Sequence, residues 1–276
     1  MAYWMFSAMP LLDQSTVLIT GASAGLGVEF ARQLAPRARC LILAARRLDR
    51  LQALQAELAR DGLEIHCLAV DLASEVDTER FLTEFRALGV RVNVLINNAG
   101  LGDHGLFEDS EWPRIRAMLN VNMKALTLLT HVFAKDLVAQ GHGAILNVAS
   151  IAGLIPVPHM AVYAATKAYV SSFSEALRAE LRGTGVSVLA LCPGPVDTEF
   201  FTVAERPVTD GSQAAPAILK VSAERVVYDG LKALEKDRAQ VIPGWLVFGV
   251  MTAAALTPMF IKRFFLNKRG RTFKGH

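Results

Sequence analysis

The strongest constraint in this sequence is a regular alternation between short, mostly apolar runs and longer segments with helical periodicity. Seven runs have the length and composition of strands: Thr16–Thr20, Cys40–Ala45, Glu64–Val70, Val92–Ile96, Gly143–Ala149, Val186–Leu191 and Ala239–Ile242. Because most of these runs are continuously apolar, we expect both faces of the strands to be buried. The pattern predicts an α/β fold, a single doubly wound parallel sheet of about seven strands with helices on both faces.

Segments with apolar residues at helical spacing separate these runs. The predicted helices are Gly25–Ala35, Arg50–Arg60, Glu75–Leu88, Trp112–Val138, Met160–Leu181 and Ser222–Lys236. The longest irregular segment extends from Asp197 to about Val221, and a loop of that length in a compact domain is typically a lid or binding loop. The sequence shows no linker-like stretch and no internal repeat, which favours one domain over two.

Charge and cysteine content exclude several classes of protein. The 276 residues include 29 basic and 26 acidic ones, a net charge of +3 that is too balanced to indicate a nucleic-acid-binding protein. The three cysteines are widely spaced inside apolar runs, which argues against a disulfide framework or a zinc site and indicates a reducing, cytoplasmic compartment. The apolar N-terminus lacks the positive region of a secretory signal, so we interpret residues 1–14 as a docking extension or a vector-derived remnant.

A glycine-rich turn, "TGASAGLG" at Thr20–Gly27, follows the first predicted strand. Its glycines, Gly21, Gly25 and Gly27, do not have the G-x-G-x-x-G spacing, but they would let a phosphate approach the backbone at a helix N-terminus. A turn from strand to helix needs glycine in any case, so this turn alone is weak evidence. It lacks the Gly-Lys-Ser/Thr ending of a P-loop, which disfavours an ATPase.

Two arginines, Arg46 and Arg47, follow the second predicted strand. A fold that binds NAD usually has an acidic residue here to bind the ribose hydroxyls, and that acid would repel a 2′-phosphate. An arginine would instead form an ion pair with the phosphate. The position therefore predicts NADP(H) in preference to NAD(H). The alternative is that both arginines simply begin a solvated helix face.

Several short motifs occur in a fixed order along the chain. They are "TGASAGLG", "DL" at Asp71–Leu72, "NNAG" at Asn97–Gly100, "NVN" at Asn120–Asn122, "NVAS" at Asn147–Ser150, "YAATK" at Tyr163–Lys167 and "CPGPVDT" at Cys192–Thr198. Together they resemble the short-chain dehydrogenase/reductase family over about Ser15–Ile242, closest to the NADP-preferring reductases with "AARR" after the second strand. The resemblance implies a Rossmann-like domain at residues 15–242, the strand order 3-2-1-4-5-6-7, and a homodimer or homotetramer.

The same resemblance implies four catalytic residues. Tyr163 and Lys167 lie four residues apart, so on a helix they share a face. Tyr163 would exchange a proton with the substrate oxygen, and Lys167, together with a nicotinamide cation, would lower the tyrosine pKa from its usual value near 10 and hold the nicotinamide ribose. Ser150 would hydrogen-bond the substrate oxygen. Asn122 would hold a water that relays protons through the lysine, with Asn120 as the alternative.

The cofactor contacts implied by the resemblance span most of the motifs. They are Gly21, Ser23, Gly25, Leu26, Gly27, Arg46, Arg47, Asp71, Leu72, Asn98, Ala99, Gly100, Tyr163, Lys167, Pro193, Gly194, Val196 and Thr198. Asp71 would contact the adenine amino group and Asn98–Gly100 the adenine ribose. The Val196 backbone and Thr198 would bind the nicotinamide carboxamide. Asn97 is as well suited to bracing the central strands. The resemblance implies no metal.

The C-terminal segment, residues 243–276, is apolar at first and basic at its end. From Val241 to Ile261 the chain has no charged residue, and Lys262 and Arg263 follow directly. Three interpretations stay open. The segment could cover the active-site mouth or form an oligomer contact, lie on a membrane surface through residues 243–266, or span a bilayer. A membrane surface would suit a lipophilic substrate.

The sequence as a whole predicts an NADP(H)-dependent oxidoreductase. It would interconvert a carbonyl and a secondary alcohol of a small molecule by hydride transfer, with Tyr163 as general acid/base. The residues expected to shape the substrate pocket are Leu101, Pro156, His159, Phe200 and Phe201. The alternatives are a catalytically silent NADPH-binding regulator and a membrane-associated scaffold of the same fold. No nucleic-acid partner is expected.

Overall fold

The protein is described by a computed structural model over residues 11–196, 198–204 and 220–269. Its seven strands form one parallel sheet in the order β3-β2-β1-β4-β5-β6-β7, which confirms the predicted fold class. The strands are β1 Thr16–Thr20, β2 Cys40–Ala45, β3 Glu64–Ala69, β4 Val94–Asn97, β5 Gly143–Val148, β6 Val186–Leu191 and β7 Gln240–Val241. The chain reverses its direction of winding between β1 and β4, which places a crevice at the carboxyl ends of these strands.

Ten α-helices occur among the described residues. They are α1 Gly25–Leu34, α2 Leu48–Leu58, α3 Glu75–Ala87, α4 Trp112–Leu119, α5 Leu126–Gln140, α6 Ala161–Glu180, α7 Glu199–Ala204, α8 Ala223–Glu235, α9 Trp245–Leu256 and α10 Met259–Arg269. Short 3₁₀ turns lie at Phe107–Asp109 and Ile151–Gly153. Five of the six predicted helices begin and end within two residues of the predicted positions, because their apolar spacing already marks the buried face.

The core has two layers, one on each face of the sheet. Residues that alternate along each strand pack on opposite sides, so Val17 lies with α1, α2 and α8, whereas Leu18 lies with α3 and α5. Both strand residues are fully buried. The central strands are mostly apolar because both of their faces are buried, as expected.

A chain of buried polar groups ties the two central strands to the helices. Asn97 Nδ2 donates to Thr130 Oγ1 and to Asn147 Oδ1, each at 2.9 Å. Asn147 Nδ2 in turn donates to Ser174 Oγ at 3.0 Å. Asn97 thus braces β4 and β5 against α5 and α6, which is the structural alternative anticipated for this residue.

The prediction of a single helix over Trp112–Val138 is wrong in the middle of that range. A π-helical turn at Asn120–Ala125 separates α4 from α5, and α5 continues to Gln140, where Gly141 ends it in the left-handed conformation at φ 70°. Within this turn the Asn122 side chain bonds the Leu101 backbone. Turns of this kind are frequent at functional sites.

The segment predicted to be irregular from Asp197 to Val221 begins with a helix, α7, at Glu199–Ala204. Residue 197 and residues 205–219 lie outside the described part of the chain, as do most of the predicted N-terminal extension and the last seven residues of the basic tail. Of the extension, Leu12 is fully buried in the core.

The long uncharged run near the C-terminus is divided into two helices. Gly244, at φ 87°, precedes α9, and Thr257 with Pro258 separates α9 from α10. Neither helix reaches the length and apolarity needed to cross a bilayer, and the same holds for every other helix in the described ranges.

Candidate active site

A cavity of about 690 Å³ lies at the carboxyl ends of the strands and receives nearly all of the predicted site residues. Those that line it are Gly21, Ser23, Gly25, Leu26, Arg46, Arg47, Asp71, Leu72, Asn98, Ala99, Gly100, Ser150, Tyr163, Lys167, Pro193, Gly194, Val196 and Thr198. The two predicted residues that do not line it, Gly27 and Asn122, lie directly behind its wall. The motifs therefore converge because most of them end a strand or begin the helix that follows it.

The glycine turn after β1 is held tightly by its neighbours. Gly21 has φ 67° and Gly25 has φ 53°, values that side chains other than glycine rarely adopt. Asn98 Nδ2 donates to Thr20 O at 2.9 Å and to Gly21 O at 3.2 Å. A Cβ atom added at Gly27 would overlap the Gly21 carbonyl oxygen and lie 2.8 Å from Asn98 Nδ2. Gly27 therefore shapes the turn from behind.

The two arginines after β2 differ in their surroundings. Arg46 is exposed at the rim of the cavity and forms no ion pair with any residue that the structure describes. Arg47 instead contacts Glu199 on α7 at 3.2 Å, and Arg50 contacts the same carboxylate at 2.8 Å. Arg50 and Arg47 together hold the pKa of Glu199 below its usual value. A phosphate bound here would share Arg47 with Glu199.

Glu199 and Arg50 are site residues that sequence reasoning missed. They are 149 positions apart, and no local pattern marks either of them as a partner of the other. Their contact depends on the position of α7, which places Glu199 near the start of α2. The ion pairs connect the region after β2 with the segment after β6 across the mouth of the cavity.

Tyr163, Lys167 and Ser150 meet at the inner end of the cavity. Tyr163 lies in the first turn of α6, and Lys167 follows one turn later, with its Nζ 5.8 Å from the centre of the tyrosine ring. Lys167 Nζ donates to the Val148 carbonyl at 2.7 Å, which fixes the ammonium at the end of β5. Ser150 Oγ accepts from Ala152 N at 3.1 Å and lies near enough to the Tyr163 hydroxyl to lower its pKa.

Burial moves the pKa values of this pair in opposite directions. Burial raises the pKa of Tyr163 to about 12, and the hydrogen bond from Ser150 counteracts only part of that rise. Burial also lowers the pKa of Lys167 to about 8. The protein by itself does not show a lowered tyrosine pKa, because desolvation dominates. The lowering expected from a lysine together with a nicotinamide cation stays a prediction.

The depressed lysine pKa gives a testable dependence of stability on pH. The unfolded chain holds the Lys167 proton up to about pH 10.5, whereas the folded chain releases it near pH 8. Stability contributed by this group therefore rises between those values. We expect the free energy of unfolding of the wild type, relative to Lys167→Met, to increase by roughly 2 kcal/mol from pH 8 to pH 10. Urea unfolding of both proteins at each pH measures it, and a difference that is independent of pH contradicts it.

Asn122 is held in the π turn by its side chain. Its Oδ1 accepts from Leu101 N at 2.8 Å, and its Nδ2 donates to Leu101 O at 2.9 Å and to Thr166 Oγ1 at 3.0 Å. A Cβ atom at Gly100 would lie 3.4 Å from Lys167 Nζ and 3.6 Å from Asn122 Oδ1, so only Gly100 separates the two side chains. Asn120 points elsewhere and donates to Ala73 O at 2.8 Å.

The outer part of the cavity is formed by apolar side chains and two histidines. The Phe200 ring lies 5.5 Å from the Tyr163 ring, and His159, with φ 65°, lies 6.2 Å from His104 between ring centres. Of the residues expected to shape this part, Leu101, His159 and Phe200 line the cavity. Pro156 does not, although its neighbours Ile155 and Val157 do, and the Phe201 side chain lies outside the described part of the chain.

Sequence reasoning also missed the groups that hold α7 over the cavity. Asp103 is buried and contacts Arg114 Nε at 2.8 Å, and Arg114 Nη2 donates to Ala204 O at 2.8 Å. His104 N donates to the same carbonyl at 3.1 Å. The end of α7 is thus tied to the loop after β4, where no sequence motif predicts a contact.

Comparison with known proteins assigns the class that this fold and cavity define. A family model described as short chain dehydrogenase matches residues 15–207, more than half of the chain. The chain therefore belongs to the short-chain dehydrogenase/reductase family. It is a nucleotide-binding oxidoreductase that acts on carbonyl or alcohol groups of small molecules with a nicotinamide cofactor.

Three relatives illustrate the similarity. Sulfoacetaldehyde reductase 2 of Chromohalobacter salexigens is 38% identical over 201 residues, covering 72% of this chain and 78% of that protein. The ketoacyl reductase HetN of a Nostoc species is 33% identical, covering 85% and 80% respectively. A short-chain dehydrogenase from Sphingobium yanoikuyae, solved in complex with NADPH, is 31% identical with a TM-score of 0.76 and covers 95% of this chain and 98% of its own.

Proposed function

We propose that this protein is an NADP(H)-dependent oxidoreductase that interconverts a carbonyl and a secondary alcohol, with Tyr163 as the general acid/base. The observation that carries the proposal is the meeting of Tyr163, Ser150 and Lys167 at the inner end of the cavity. A phenol, a hydroxyl and an ammonium within one pocket are the groups that proton transfer to a carbonyl oxygen requires.

The residues present fit a nicotinamide dinucleotide. Gly21 and Gly25 leave the backbone of the first turn open, and a side chain at either position would meet Ala99 or Thr198. The cavity runs from this turn and Arg46 at one end to Tyr163 at the other. When bound there, the cofactor supplies or accepts the hydride. Asp71, Asn98–Gly100 and the segment from Pro193 to Thr198 would hold it along this path.

Each catalytic side chain has a separate task in this proposal. Tyr163 gives its phenolic proton to the carbonyl oxygen during reduction and takes a proton from the hydroxyl during oxidation. Ser150 holds the same oxygen and stabilises the charge that develops on it. Lys167 supports the phenolate and binds the nicotinamide ribose. Asn122 holds the Leu101 loop behind the lysine and orders a water that returns protons to it.

The preference for NADP(H) rests on Arg46. Its side chain is exposed at the rim of the cavity, and among the described residues it has no competing carboxylate, unlike Arg47. A guanidinium in this position would form charge-assisted hydrogen bonds with a 2′-phosphate. The relative from Sphingobium yanoikuyae, solved with NADPH, supports the same preference.

Removing Arg46 should change cofactor affinity selectively. We expect Arg46→Ala to weaken NADPH binding by about 10- to 150-fold, the range for a hydrogen bond to a charged group, and to change NADH binding only slightly. Fluorescence titration with both cofactors measures this effect. Arg91→Ala, which removes an exposed arginine after α3, is the matched control. An equal loss for NADPH and NADH would remove the argument for a 2′-phosphate site.

The substrate is inferred to be a lipophilic carbonyl compound, because apolar side chains surround Tyr163. The Phe200 ring lies 5.5 Å from the tyrosine ring at a tilt of 49°, and Leu101, Ile155 and Val157 line the same cavity. NADPH oxidation against ketones, aldehydes, 3-oxoacyl thioesters, steroids and sulfoacetaldehyde tests the function directly. NADPH binding without turnover of any of these compounds would favour a silent regulator. We further infer a homodimer or homotetramer in the cytoplasm.

A further inference from the structure

Helices α9 and α10 expose a large apolar surface, which we call the C-terminal apolar surface. Its members are Trp245, Phe248, Val250, Leu256, Met259, Phe260, Ile261 and Phe264. Trp245 and Leu256 are each 80% exposed, Phe260 is 71% exposed and Phe264 is 70% exposed. A contiguous group of large apolar side chains on the outside of a protein usually marks an interaction site.

The attachment of α9 to the rest of the protein leaves most of its sides uncovered. Val247 and Met251, one turn apart, are buried against the body of the protein. The remaining residues of α9 are uncharged on every side. A helix that is apolar all round is normally buried on all sides. The exposed part of α9 therefore indicates a contact that the single chain does not provide.

The charge around this surface has one sign. Lys262 and Arg263 lie on α10 beside the exposed phenylalanines, and the chain has no acidic residue after Asp237. Six basic residues fall within its last fifteen positions: Lys262, Arg263, Lys268, Arg269, Arg271 and Lys274. Aromatic side chains next to a cluster of cations are the features of a helix that lies in the interface of a membrane with anionic lipids.

Two other occupants fit less well. The described residues that line the cavity include none from α9 or α10, so these helices do not cover the active-site mouth. A second copy of the chain, related by a two-fold axis, would bring the same patch against itself. Lys262 and Arg263 would then face the cations of the other copy with no nearby acid on either segment. The surface of an anionic membrane would bury the apolar side chains and form ion pairs with the basic ones.

We propose that α9 and α10 dock this protein on the surface of a bilayer that contains anionic phospholipids. Trp245, Phe260 and Phe264 enter the boundary between headgroups and acyl chains, and Lys262 and Arg263 contact the headgroups. The docking is peripheral, since each helix is too short to cross the bilayer. It does not depend on the identity of the substrate or on the chemistry at Tyr163.

Vesicle flotation of the full-length chain tests the docking. We expect binding to phosphatidylcholine vesicles that contain phosphatidylglycerol to exceed binding to pure phosphatidylcholine vesicles by at least about tenfold, and to fall as salt is added. Lys262→Gln and Arg263→Gln should each lower binding to the anionic vesicles by about fivefold. NADPH binding, measured on the same samples, should stay unchanged.

The apolar contribution is tested by charge insertion at exposed positions. The double change Phe260→Glu and Phe264→Glu should lower vesicle binding by more than about tenfold. Val76→Glu, at a 77% exposed position on α3, is the matched control and should bind vesicles as the wild type does. Circular dichroism establishes that each variant is folded.

Two results would overturn the proposal. One is a folded wild-type protein that floats with neither kind of vesicle. The other is a double glutamate variant that floats as well as the wild type. If the wild type fails to float and the same double variant converts a dimer to a monomer in light scattering, the C-terminal apolar surface is a contact between two copies.

Discussion

Tyr163→Phe is expected to lower kcat/KM for carbonyl reduction by about 10²- to 10⁴-fold, the range that general acid/base catalysis contributes. The phenylalanine ring keeps the apolar contact with Phe200, whose ring lies 5.5 Å away, so the pocket should keep its shape. The variant loses only the hydroxyl, the group that we propose carries the proton. NADPH binding should therefore change by less than about threefold, within the range of a weak hydrogen bond.

Steady-state NADPH oxidation with the best substrate of the panel measures this loss. Tyr169→Phe is the matched control, because Tyr169 lies on the same helix and its hydroxyl contacts Thr127 at 2.7 Å, outside the residues that line the cavity. The control should keep nearly full activity. A Tyr163→Phe enzyme that turns over as fast as the wild type would show that another group handles the proton.

Gly27→Ala is expected to have the second large effect, on both stability and cofactor binding. The added methyl group would overlap the Gly21 carbonyl oxygen of the turn and lie 2.8 Å from Asn98 Nδ2, which follows β4 and donates to that same carbonyl. Neither can move without opening the turn after β1. We expect the free energy of unfolding to fall by about 3 kcal/mol, at the upper end for overpacking. NADPH affinity should fall by at least about tenfold, since phosphates approach this backbone.

Urea unfolding and NADPH titration of the same preparation test both effects of Gly27→Ala. Gly249→Ala is the matched control, because Gly249 is also helical and a Cβ atom there would meet nothing within 4 Å. That control should be neutral or stabilising by about 1 kcal/mol, as expected for alanine in place of glycine in a helix. If Gly27→Ala is as stable as its control, the packing argument for this turn is wrong.

The sheet could be predicted from sequence because each central strand is buried on both faces. The bounds of β1, β2 and β6 match the predicted runs, since these strands are mostly apolar along their whole length. The edge strand β7 has only two residues, and its predicted ends extend beyond them. The central strand β4 also begins two residues after its predicted start, so local composition shows where a strand lies better than where its pairing begins.

The residues of the site could be predicted from the sequence, but their pKa values and long-range contacts could not. Eighteen of the predicted residues line the cavity, because motifs at strand ends converge on one edge of a parallel sheet. The raised pKa of Tyr163 could not be foreseen, since it arises from burial by residues that are distant in sequence. The contact of Arg47 with Glu199 is similarly non-local, and it joins two elements that share no motif.

The π turn at Asn120–Ala125 also determines which changes of length this region can accept. The turn holds one residue more than a regular helix would, and Ile115 before it and Leu129 after it both remain buried. Deleting one residue there would restore a regular helix and leave α4 and α5 in phase, because the π turn spreads one extra residue over the same rotation. The loss would be local, since the regular helix would no longer place Asn122 against the Leu101 backbone. The spacing of this stretch is therefore as constrained as the identity of its asparagine.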